Sequence, residues 1–332
     1  MKRLMIKTLV AAAALAIAGV AAAQEKTFKF GLQNPKGHPL EMGAVKFAEL
    51  VAAKTGGRIK VNVFAGGVLG GDAANVSALQ GGTVEVLMLN SGILASQVKD
   101  FEVFDFPFMF ASAKEADAVV DGPFGQKLHA RLADKGIIGL AYTELGFRNV
   151  TNSKKAIHTV EDFAGLKLRV IPNAINVDWV KALGANPTPL PFPEVYAALE
   201  QKAIDGQENP VSVIATSKFY EVQKFMTLTN HQYNPQSVIF SKKVWDSLSP
   251  AEKKIVDEAA DEATKYQRQQ ARAAVAVNMD VLKKGGMTVT ELSATEVAKL
   301  RDKMKPVIAQ FSASVGDETV NDVMAELAKM RK

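Results

Sequence analysis

The 332-residue sequence contains no cysteine. Without cysteine the chain can form no disulfide, no thiolate site for zinc or an iron–sulfur cluster, and no cysteine nucleophile. Hydrophobic residues make up 48% of the chain and charged residues 23%, a composition typical of soluble globular proteins and too apolar for a disordered one. The length predicts more than one domain.

A large excess of charge of one sign is also missing beyond the N-terminus. The net charge of +5 includes Lys2, Arg3 and Lys7, and the remaining 309 residues carry 37 basic against 35 acidic groups. No basic stripe with interleaved aromatic residues occurs there, as binding to a phosphate backbone would require. We therefore expect no nucleic-acid partner.

Residues 1–23 have the pattern of a secretory signal peptide. A short basic start is followed by an apolar stretch and by three small residues at the expected cleavage position, Ala21–Ala23. The uncharged run before Gln24 is about 16 residues long, shorter than the roughly 20 needed to span a bilayer. The pattern predicts export to a periplasm and cleavage after Ala23.

Strand and helix patterns alternate along the rest of the chain. Thr27–Leu32, Ile59–Phe64 and Val84–Leu89 have the period of two expected of strands, and the segments between them predict helices that begin near Pro39 and Asp72. This succession predicts an α/β fold with a parallel sheet covered by helices on both faces. The pattern continues with a helix over 114–134, strands over 137–142 and 166–171, and a helix over 174–183.

Prolines occupy every second position from 187 to 193. Because proline has no amide N–H and a fixed φ, these residues predict an extended, stiff connector that joins neither a helix nor a sheet. The next helix is expected to begin at Glu194 and to run to Gln201.

One helix is predicted to be much longer than a domain is wide. Ser249–Glu252 is a capping box with Pro250 at the first helical position, and no helix breaker follows before Gly285. About 35 residues extend roughly 50 Å at ~1.5 Å per residue, more than the diameter of a compact domain of about 130 residues. We infer a helix that lies across two domains.

Motifs of the common enzyme classes are missing. The sequence has no nucleotide fingerprint, phosphate loop, nucleophile elbow or HExxH motif, and the glycine-rich segment Gly66–Gly71 lacks the spacing and the lysine of a phosphate loop, so a turn is predicted there. None of the four histidines stands at metal-ligand spacing from another ligand. We therefore expect no metal, no cofactor and no enzymatic activity.

Two of the nine arginines stand where a ligand is expected. Arg169 lies near the carboxyl end of the strand over 166–171, on the face opposite Leu168, and Arg148 follows the strand that ends near Thr143. Ligands of α/β sheets bind outside the carboxyl ends of the strands. Because a guanidinium is a planar fork that matches a carboxylate, both positions predict an anion site.

Other candidates leave two interpretations open. Asn209 lies at a corner before Pro210 and either caps the next helix or faces a ligand. Phe192 is either core or the apolar wall of a pocket. His38, in the loop after the first strand, is the histidine best placed for a pocket. The aromatic block Phe101–Phe110 is predicted to be buried core.

Five motifs follow one another in the middle of the chain: FRNVTNSKKAI, GLKLRV, ALGANPTPLPFPEVYAAL, AIDGQENP and KFYEVQKFMTLTNH. With these motifs the sequence resembles the DctP family, the solute receptors of TRAP transporters, which are tripartite ATP-independent periplasmic systems that import organic acids. The resemblance extends over essentially the whole chain after residue 23.

The resemblance implies a two-domain periplasmic-binding-protein clamshell of α/β class, crossed twice by the chain and spanned by one long helix. The ligand would bind in the cleft between the domains. The implied domains are 24–146 with 235–274 and 147–234 with 275–332.

The resemblance also implies the residues of the site. The carboxylate-binding arginine of the family falls on Arg169, the second arginine on Arg148, the pocket asparagine on Asn209 and the pocket phenylalanine on Phe192. Asn90 stands where sialic-acid receptors of the family carry an acid, which argues against sialic acid. The remaining implied ligand contacts are Gln33, Asn34, His38, Asp72 and Asn173.

The function implied is that of a monomeric periplasmic receptor that binds a small organic acid and delivers it to the small and large membrane subunits of a TRAP transporter. C4-dicarboxylates and sugar acids are the expected ligand classes, with 2-oxo and aromatic acids left open. Two other classes remain open: a receptor that feeds a signalling system, and a periplasmic enzyme that acts on a small acid.

Overall fold

The computed structural model describes residues 25–331, so the predicted signal peptide over 1–23 lies outside the described residues. These residues form one mixed sheet of nine strands. The strands are β1 (Lys26–Leu32), β2 (Ile59–Phe64), β3 (Val86–Asn90), β4 (Ile137–Asn152), β5 (Lys167–Val170), β6 (Asn186–Pro189), β7 (Gly206–Pro210), β8 (Phe225–Ser241) and β9 (Thr288–Glu291).

Helices cover the sheet and connect its strands. Short 3₁₀ turns occur as well, among them Ser91–Ser96 and Lys99–Asp105. The α-helices are α1 (Pro39–Lys54), α2 (Asp72–Gly81), α3 (Ala113–Asp121), α4 (Pro123–Arg131), α5 (Ala174–Ala182), α6 (Val195–Glu200), α7 (Val211–Thr216), α8 (Lys242–Trp245), α9 (Pro250–Lys284), α10 (Ala294–Val315) and α11 (Asp317–Met330).

The sheet consists of two parallel wings joined by two long antiparallel strands. Its order is β2-β1-β3-β8-β4-β7-β5-β6, with β9 beside β8. β1 is parallel to β2 and β3 in one wing, and β5 is parallel to β6 and β7 in the other. β8 is antiparallel to β3 and β4, and β4 is antiparallel to β7. The prediction of a parallel sheet is therefore right for the wings and wrong for their junction.

The long strands β4 and β8 are the two crossings between the wings. The first part of β4 pairs with the end of β8, and its last residues, Arg148–Asn152, pair with β7. The domain boundaries proposed from the sequence fall inside β4, β8 and α9. The assignment of residues to two domains remains a prediction.

The first part of the proline-rich segment joins the sheet, contrary to the prediction. Asn186–Pro189 pairs in parallel with β5 as the edge strand β6. Because successive amides of a strand point to opposite sides, prolines at every second position leave the inward N–H groups free, and those of Asn186 and Leu190 donate to Leu166 and Val170. The missing donors fall on the outer edge, where no strand needs them.

The long helix predicted after Ser249 is confirmed. α9 has 35 residues, and its first turn is held by the reciprocal capping box of Ser249 and Glu252. It packs against α1 and β4 and also against α7. One continuous helix therefore contacts elements of both wings.

The helix predicted over 114–134 is two helices, because Gly122 and Pro123 interrupt it. Gly122 has extended backbone angles, and Pro123 begins α4. Most of the aromatic block predicted to be core is buried, with Phe101, Phe104 and Phe106 each at most 1% exposed, whereas Phe108 is only partly buried. Among residues 25–331 no helix is both long and apolar enough to cross a membrane.

His38 is a helix cap. Its backbone is extended before Pro39, and its Nδ1 accepts a hydrogen bond of 3.0 Å from the amide of Leu40. The ring is 1% exposed, and burial lowers the pKa of His38 to about 3. The imidazole is therefore neutral in the folded protein well below neutral pH.

We expect His38→Asn to reduce the loss of stability in acid. Below pH 6.5, its ordinary pKa, the imidazole takes up a proton in the unfolded chain but not in the folded one. Acid therefore stabilises the unfolded chain, and the free energy of unfolding decreases as pH falls. Between pH 7 and pH 5 the unfolding free energy of the wild type should drop by roughly 2 kcal/mol relative to the variant, which keeps a good cap. Urea titrations at both pH values measure this difference. The exposed His158→Asn serves as the control, and equal pH dependence of wild type and His38→Asn would contradict the assignment.

Candidate functional site

A cavity of about 540 Å³ lies where the two wings meet. One wall comes from the loop after β1, the turn after β2, the start of α2 and the end of β3. The other comes from the residues after β5, the segment after β6 and the end of β7. The long strands contribute Leu145, Arg148 and Gln236. The carboxyl ends of the parallel strands of both wings thus lie at the cavity, as expected for α/β sheets.

Arg169 presents an unpaired guanidinium to this cavity. Its Nε and Nη2 donate to the carbonyl oxygen of Leu190, at 2.9 and 2.7 Å. Within residues 25–331 its Nη1 has no hydrogen-bond partner and its guanidinium forms no ion pair with a carboxylate. The side chain is positioned by one backbone carbonyl and keeps N–H donors for another acceptor.

The charge of Arg169 is retained despite its burial. The residue is 2% exposed. Loss of hydration lowers the pKa of Arg169 to about 10, with Glu208 opposing and Arg148 adding to that shift. At neutral pH the guanidinium remains protonated. A buried cation without an ion-pair partner is energetically unfavourable and is stabilised by an anion from outside.

Phe192 and Asn209 flank this cation. The Arg169 guanidinium lies 5.9 Å from the centre of the Phe192 ring, within the range of a cation–π contact. Asn209 is the next-to-last residue of β7, and its Nδ2 donates to Gln207 at 2.6 Å. The α7 helix after it begins beyond Pro210 without a side-chain cap. Of the two interpretations of Asn209, the structure excludes the cap and places the residue at the cavity.

Arg148 also lines the cavity but has its own carboxylate. Its Nε and Nη2 donate to the two carboxylate oxygens of Glu208, with a distance of 2.7 Å for Nη2, and its Nη1 donates to Asn234 at 2.7 Å. Burial alone would raise the pKa of Glu208, but Arg148 and His231 hold it at about 2. The pair is therefore ionised and internally neutral, and Arg169 is left as the free positive charge.

Beneath this pair lies a second buried acid. Asp105 accepts from Asn173 Nδ2 at 2.8 Å and from Asn176 Nδ2 at 3.2 Å. Burial raises the pKa of Asp105 to about 6, although Asn173 and Arg148 lower it. These bonds join the 3₁₀ turn before Phe106 to the start of α5, directly behind Pro172 in the cavity wall.

Asp72 places a second type of polar group in the wall. It is the first residue of α2, and it lies half-buried near Gln33. Loss of hydration there raises the pKa of Asp72 to about 6, although Gln33 and Arg169 act in the opposite direction. The Gln33 amide donates to Gly70 at 3.0 Å, while its Oε1 is buried without a hydrogen-bond partner. This wall therefore offers oxygen acceptors.

Eight of the ten residues proposed from the sequence line the cavity, and two do not. Asn90 lines it, but its amide already bonds to Asn234 and to the backbone of Gly92. His38 is outside because its ring turns back onto the α1 amides. Asn173 is outside because Asp105 holds its amide. The eight that line it are Gln33, Asn34, Asp72, Asn90, Arg148, Arg169, Phe192 and Asn209.

Sequence reasoning missed three features of the cavity. Gln236 faces it from β8, where it pairs with Asn90, and no sequence motif marks that position. Glu208 forms the ion pair with Arg148, although the acid next to Asn209 was visible in the sequence. The segment Gly66–Gly71 is a turn as predicted, and its residues Gly67, Gly70 and Gly71 line part of one wall.

Comparison with known proteins identifies similar chains. The sequence model of the family described as bacterial extracellular solute-binding protein, family 7, matches residues 30–314. A TRAP periplasmic solute-binding protein from Ochrobactrum anthropi, solved with a C-terminus in its ligand pocket, is 53% identical and covers 93% of this chain and 97% of its own, with a TM-score of 0.82.

Two further relatives differ in what they bind. The sugar acid binding protein DctPAm of Advenella mimigardefordensis, solved with galactonate, is 41% identical over 92% of this chain and 99% of its own, with a TM-score of 0.91. The C4-dicarboxylate-binding periplasmic protein DctP of Rhodobacter capsulatus is 34% identical over 96% of each chain.

Proposed function

This chain belongs to the DctP family, family 7 of the bacterial extracellular solute-binding proteins, and from that membership we propose that it is the receptor for a hydroxylated organic acid of the sugar-acid class. The observation that carries this proposal is the unpaired Arg169 guanidinium in a cavity whose opposite wall offers the acceptor Asp72. The match of the family model over residues 30–314 confirms the family resemblance seen in the sequence.

Arg169 is proposed to bind the carboxylate. Its Nη1 donors and the remaining Nη2 donor are free for a bidentate contact. Because Arg148 is paired with Glu208, the ligand carboxylate would pair with Arg169, which has no ion-pair partner among residues 25–331. Asn209 and the Phe192 ring lie beside that position and would orient the acid.

Asp72 is proposed to select the other end of the ligand. An ionised carboxylate is an acceptor only, so it would bind the hydroxyl groups of a sugar acid and repel the second carboxylate of a dicarboxylate. The cavity of about 540 Å³ is within the usual range for small-molecule sites, roughly 300 to 1,000 Å³.

Binding would favour closure of the two lobes, which we assign to 24–146 with 235–274 and to 147–234 with 275–332. Arg169 and Asp72 lie on opposite walls, so one ligand contacts both only when the cleft is closed. Each hydrogen bond to a charged group contributes roughly 1.5 to 3 kcal/mol, enough for two or three to shift the open–closed equilibrium.

The closed form would deliver the acid to TRAP membrane subunits. Its place of action would be the periplasm, reached through the signal peptide proposed for residues 1–23. The relatives described as periplasmic, such as that of Rhodobacter capsulatus, support this location.

A thermal-shift screen tests the ligand class. We expect galactonate or a related sugar acid to raise the Tm, since a ligand at about 100 times its Kd adds roughly 2.7 kcal/mol, and we expect succinate to raise it much less.

The variant Asp72→Asn tests the selecting residue. In this variant the ratio of the succinate Kd to the galactonate Kd should fall by about 10-fold, because the repulsion of a second carboxylate is removed. The wild type should also bind sugar acids more weakly at pH 5 than at pH 8, since Asp72 is protonated below about 6.

The variant Asn34→Ala is the matched control, because it changes the same wall of the cavity without changing the charge of that wall. It should alter the Kd for sugar acids but not the dependence of that Kd on pH. Equal or tighter binding of dicarboxylates by the wild type would contradict the assignment of Asp72, and a screen in which no carboxylic acid raises the Tm would contradict the proposed function.

A further inference from the structure

Two backbone segments meet at the rim of the cavity. The first, which we call the glycine turn, is Gly66–Gly71 after β2, and the second, the proline connector, is Leu190–Pro193 after β6. A Cβ built on Gly67 would lie 2.7 Å from Pro193 Cγ, and one built on Gly71 would lie 3.4 Å from Pro191 Cβ. The two walls of the cleft therefore touch here with no side chain of the glycine turn between them.

The glycine turn is fixed to its own wall. The amides of Gly66 and Gly67 donate to the carbonyls of Asn34 and Leu32, at 2.8 and 3.0 Å. The carbonyl of Gly70 accepts from the side chains of Gln33 and Asn75, both at 3.0 Å. These bonds hold the turn in a defined position relative to β1 and α2.

The proline connector is equally constrained. Its prolines have fixed φ angles, the amide of Leu190 donates to Val170, and the amide of Glu194 donates to Pro191. The carbonyl of Leu190 accepts two hydrogen bonds from Arg169. The residue proposed to bind the carboxylate thus also holds the connector.

We propose that the glycine turn and the proline connector form a steric stop that sets how far the cleft closes, with Gly67 as a positioning residue. No hydrogen bond or ion pair between the two segments occurs among the described residues, so their contact acts by shape alone. This inference rests on the proposed opening and closing of the cleft. Glycine is required at 67 because any side chain would keep the walls apart before ligand contacts on both sides can form.

The absence of cysteine allows a direct measurement of this contact. Cβ atoms of a disulfide are about 3.5 to 4.5 Å apart, so Gly71→Cys with Pro191→Cys should form a disulfide when the cleft is closed and not when it is open. The rate of cross-linking in the full chain without any added acid then reports the closed fraction. A pair that does not cross-link would overturn the proposed contact.

Gly67→Ala in this cysteine background should slow cross-linking by about 10-fold, since the added methyl overpacks the closed rim. Gly66→Ala is the matched control. Gly66 and Gly67 have φ angles of 77° and 70°, so alanine is similarly strained at both, but a Cβ at 66 would meet nothing within 4 Å. We expect this control to stay within about 2-fold of the parent.

Gly67→Ala has a second effect, because the new Cβ would also lie 2.7 Å from Gln33 Oε1. Adding Pro193→Ala to this variant separates that effect from the steric stop. Removing Pro193 Cγ should restore most of the cross-linking rate to the Gly67→Ala protein. Failure to restore it, or equal slowing by Gly66→Ala, would overturn the proposal. Adding galactonate tests the proposed function separately: if it does not speed cross-linking of the parent pair, the ligand class fails while the effect of Gly67→Ala stands.

Discussion

Replacing Arg169 by alanine is expected to weaken binding of the acid by roughly 30-fold to several thousand-fold, the range for truncating one member of a buried charge pair, about 2 to 5 kcal/mol. Among residues 25–331 the Arg169 guanidinium has no ion-pair partner, whereas Arg148 is paired with Glu208. Isothermal titration of wild type and variant with the acid found by the screen measures the change in Kd.

The same substitution should leave the protein folded. Among residues 25–331 the hydrogen bonds of the Arg169 side chain all go to the Leu190 carbonyl, and removing a buried, unpaired cation relieves a desolvation cost. The Tm of the ligand-free variant should therefore stay near that of the wild type. Arg169→Lys should also bind poorly because an ammonium lacks the fork geometry. An unchanged Kd in the alanine variant would remove Arg169 from the site.

The order of strands and helices was predictable because each element has its own local signal. The alternation in Ile59–Phe64 and the capping box at Ser249 are both found where the sequence places them. The antiparallel junction was not predictable, since pairing between β4 and β8 depends on residues about 100 positions apart. Register of that kind is fixed by the packed sheet and not by any short segment.

The proline-rich segment over 187–193 shows a similar limit. Four prolines at alternate positions indicate an extended chain, and they do so correctly. Whether the chain also joins a sheet depends on which edge faces a partner, and the sequence does not contain that information. The amides of Asn186 and Leu190 happen to face β5.

The site was predictable where chemistry and strand position coincide, as at Arg169, which lies near the carboxyl end of the short strand β5. It was less predictable where a side chain has a nearby alternative partner. His38 bonds to its own helix, and Asn173 bonds to Asp105. The pairing of Arg148 with Glu208 required the register of β4 against β7, in which Arg148 lies opposite Pro210. That register places Glu208 within reach of the guanidinium.

Glu208→Ala is expected to be the most destabilising single substitution of the site. It would leave Arg148, 1% exposed, as a buried cation whose carboxylate is gone. Breaking a buried pair in this way costs about 3 to 5 kcal/mol, which corresponds to a fall in Tm of roughly 5 to 15 °C. Calorimetry of the ligand-free proteins measures it. Glu200→Ala, at an exposed position of α6, should change the free energy of unfolding by no more than about 0.5 kcal/mol.

The pH dependence of the free energy of unfolding shows whether the lost ion pair causes the destabilisation. The pKa of Glu208 is lowered from 4.5 to about 2, so its ionised form stabilises the fold above pH 4.5 and that contribution is lost as pH falls towards 2. The stability difference between wild type and Glu208→Ala should accordingly narrow below pH 4.5. Replacing both partners, as in Arg148→Met with Glu208→Leu, should recover much of the loss, because no buried charge then remains unpaired. A double variant that melts as low as Glu208→Ala would instead mean that the pair stabilises the fold through packing and the hydrogen bond to Asn234, and not through the balance of its charges.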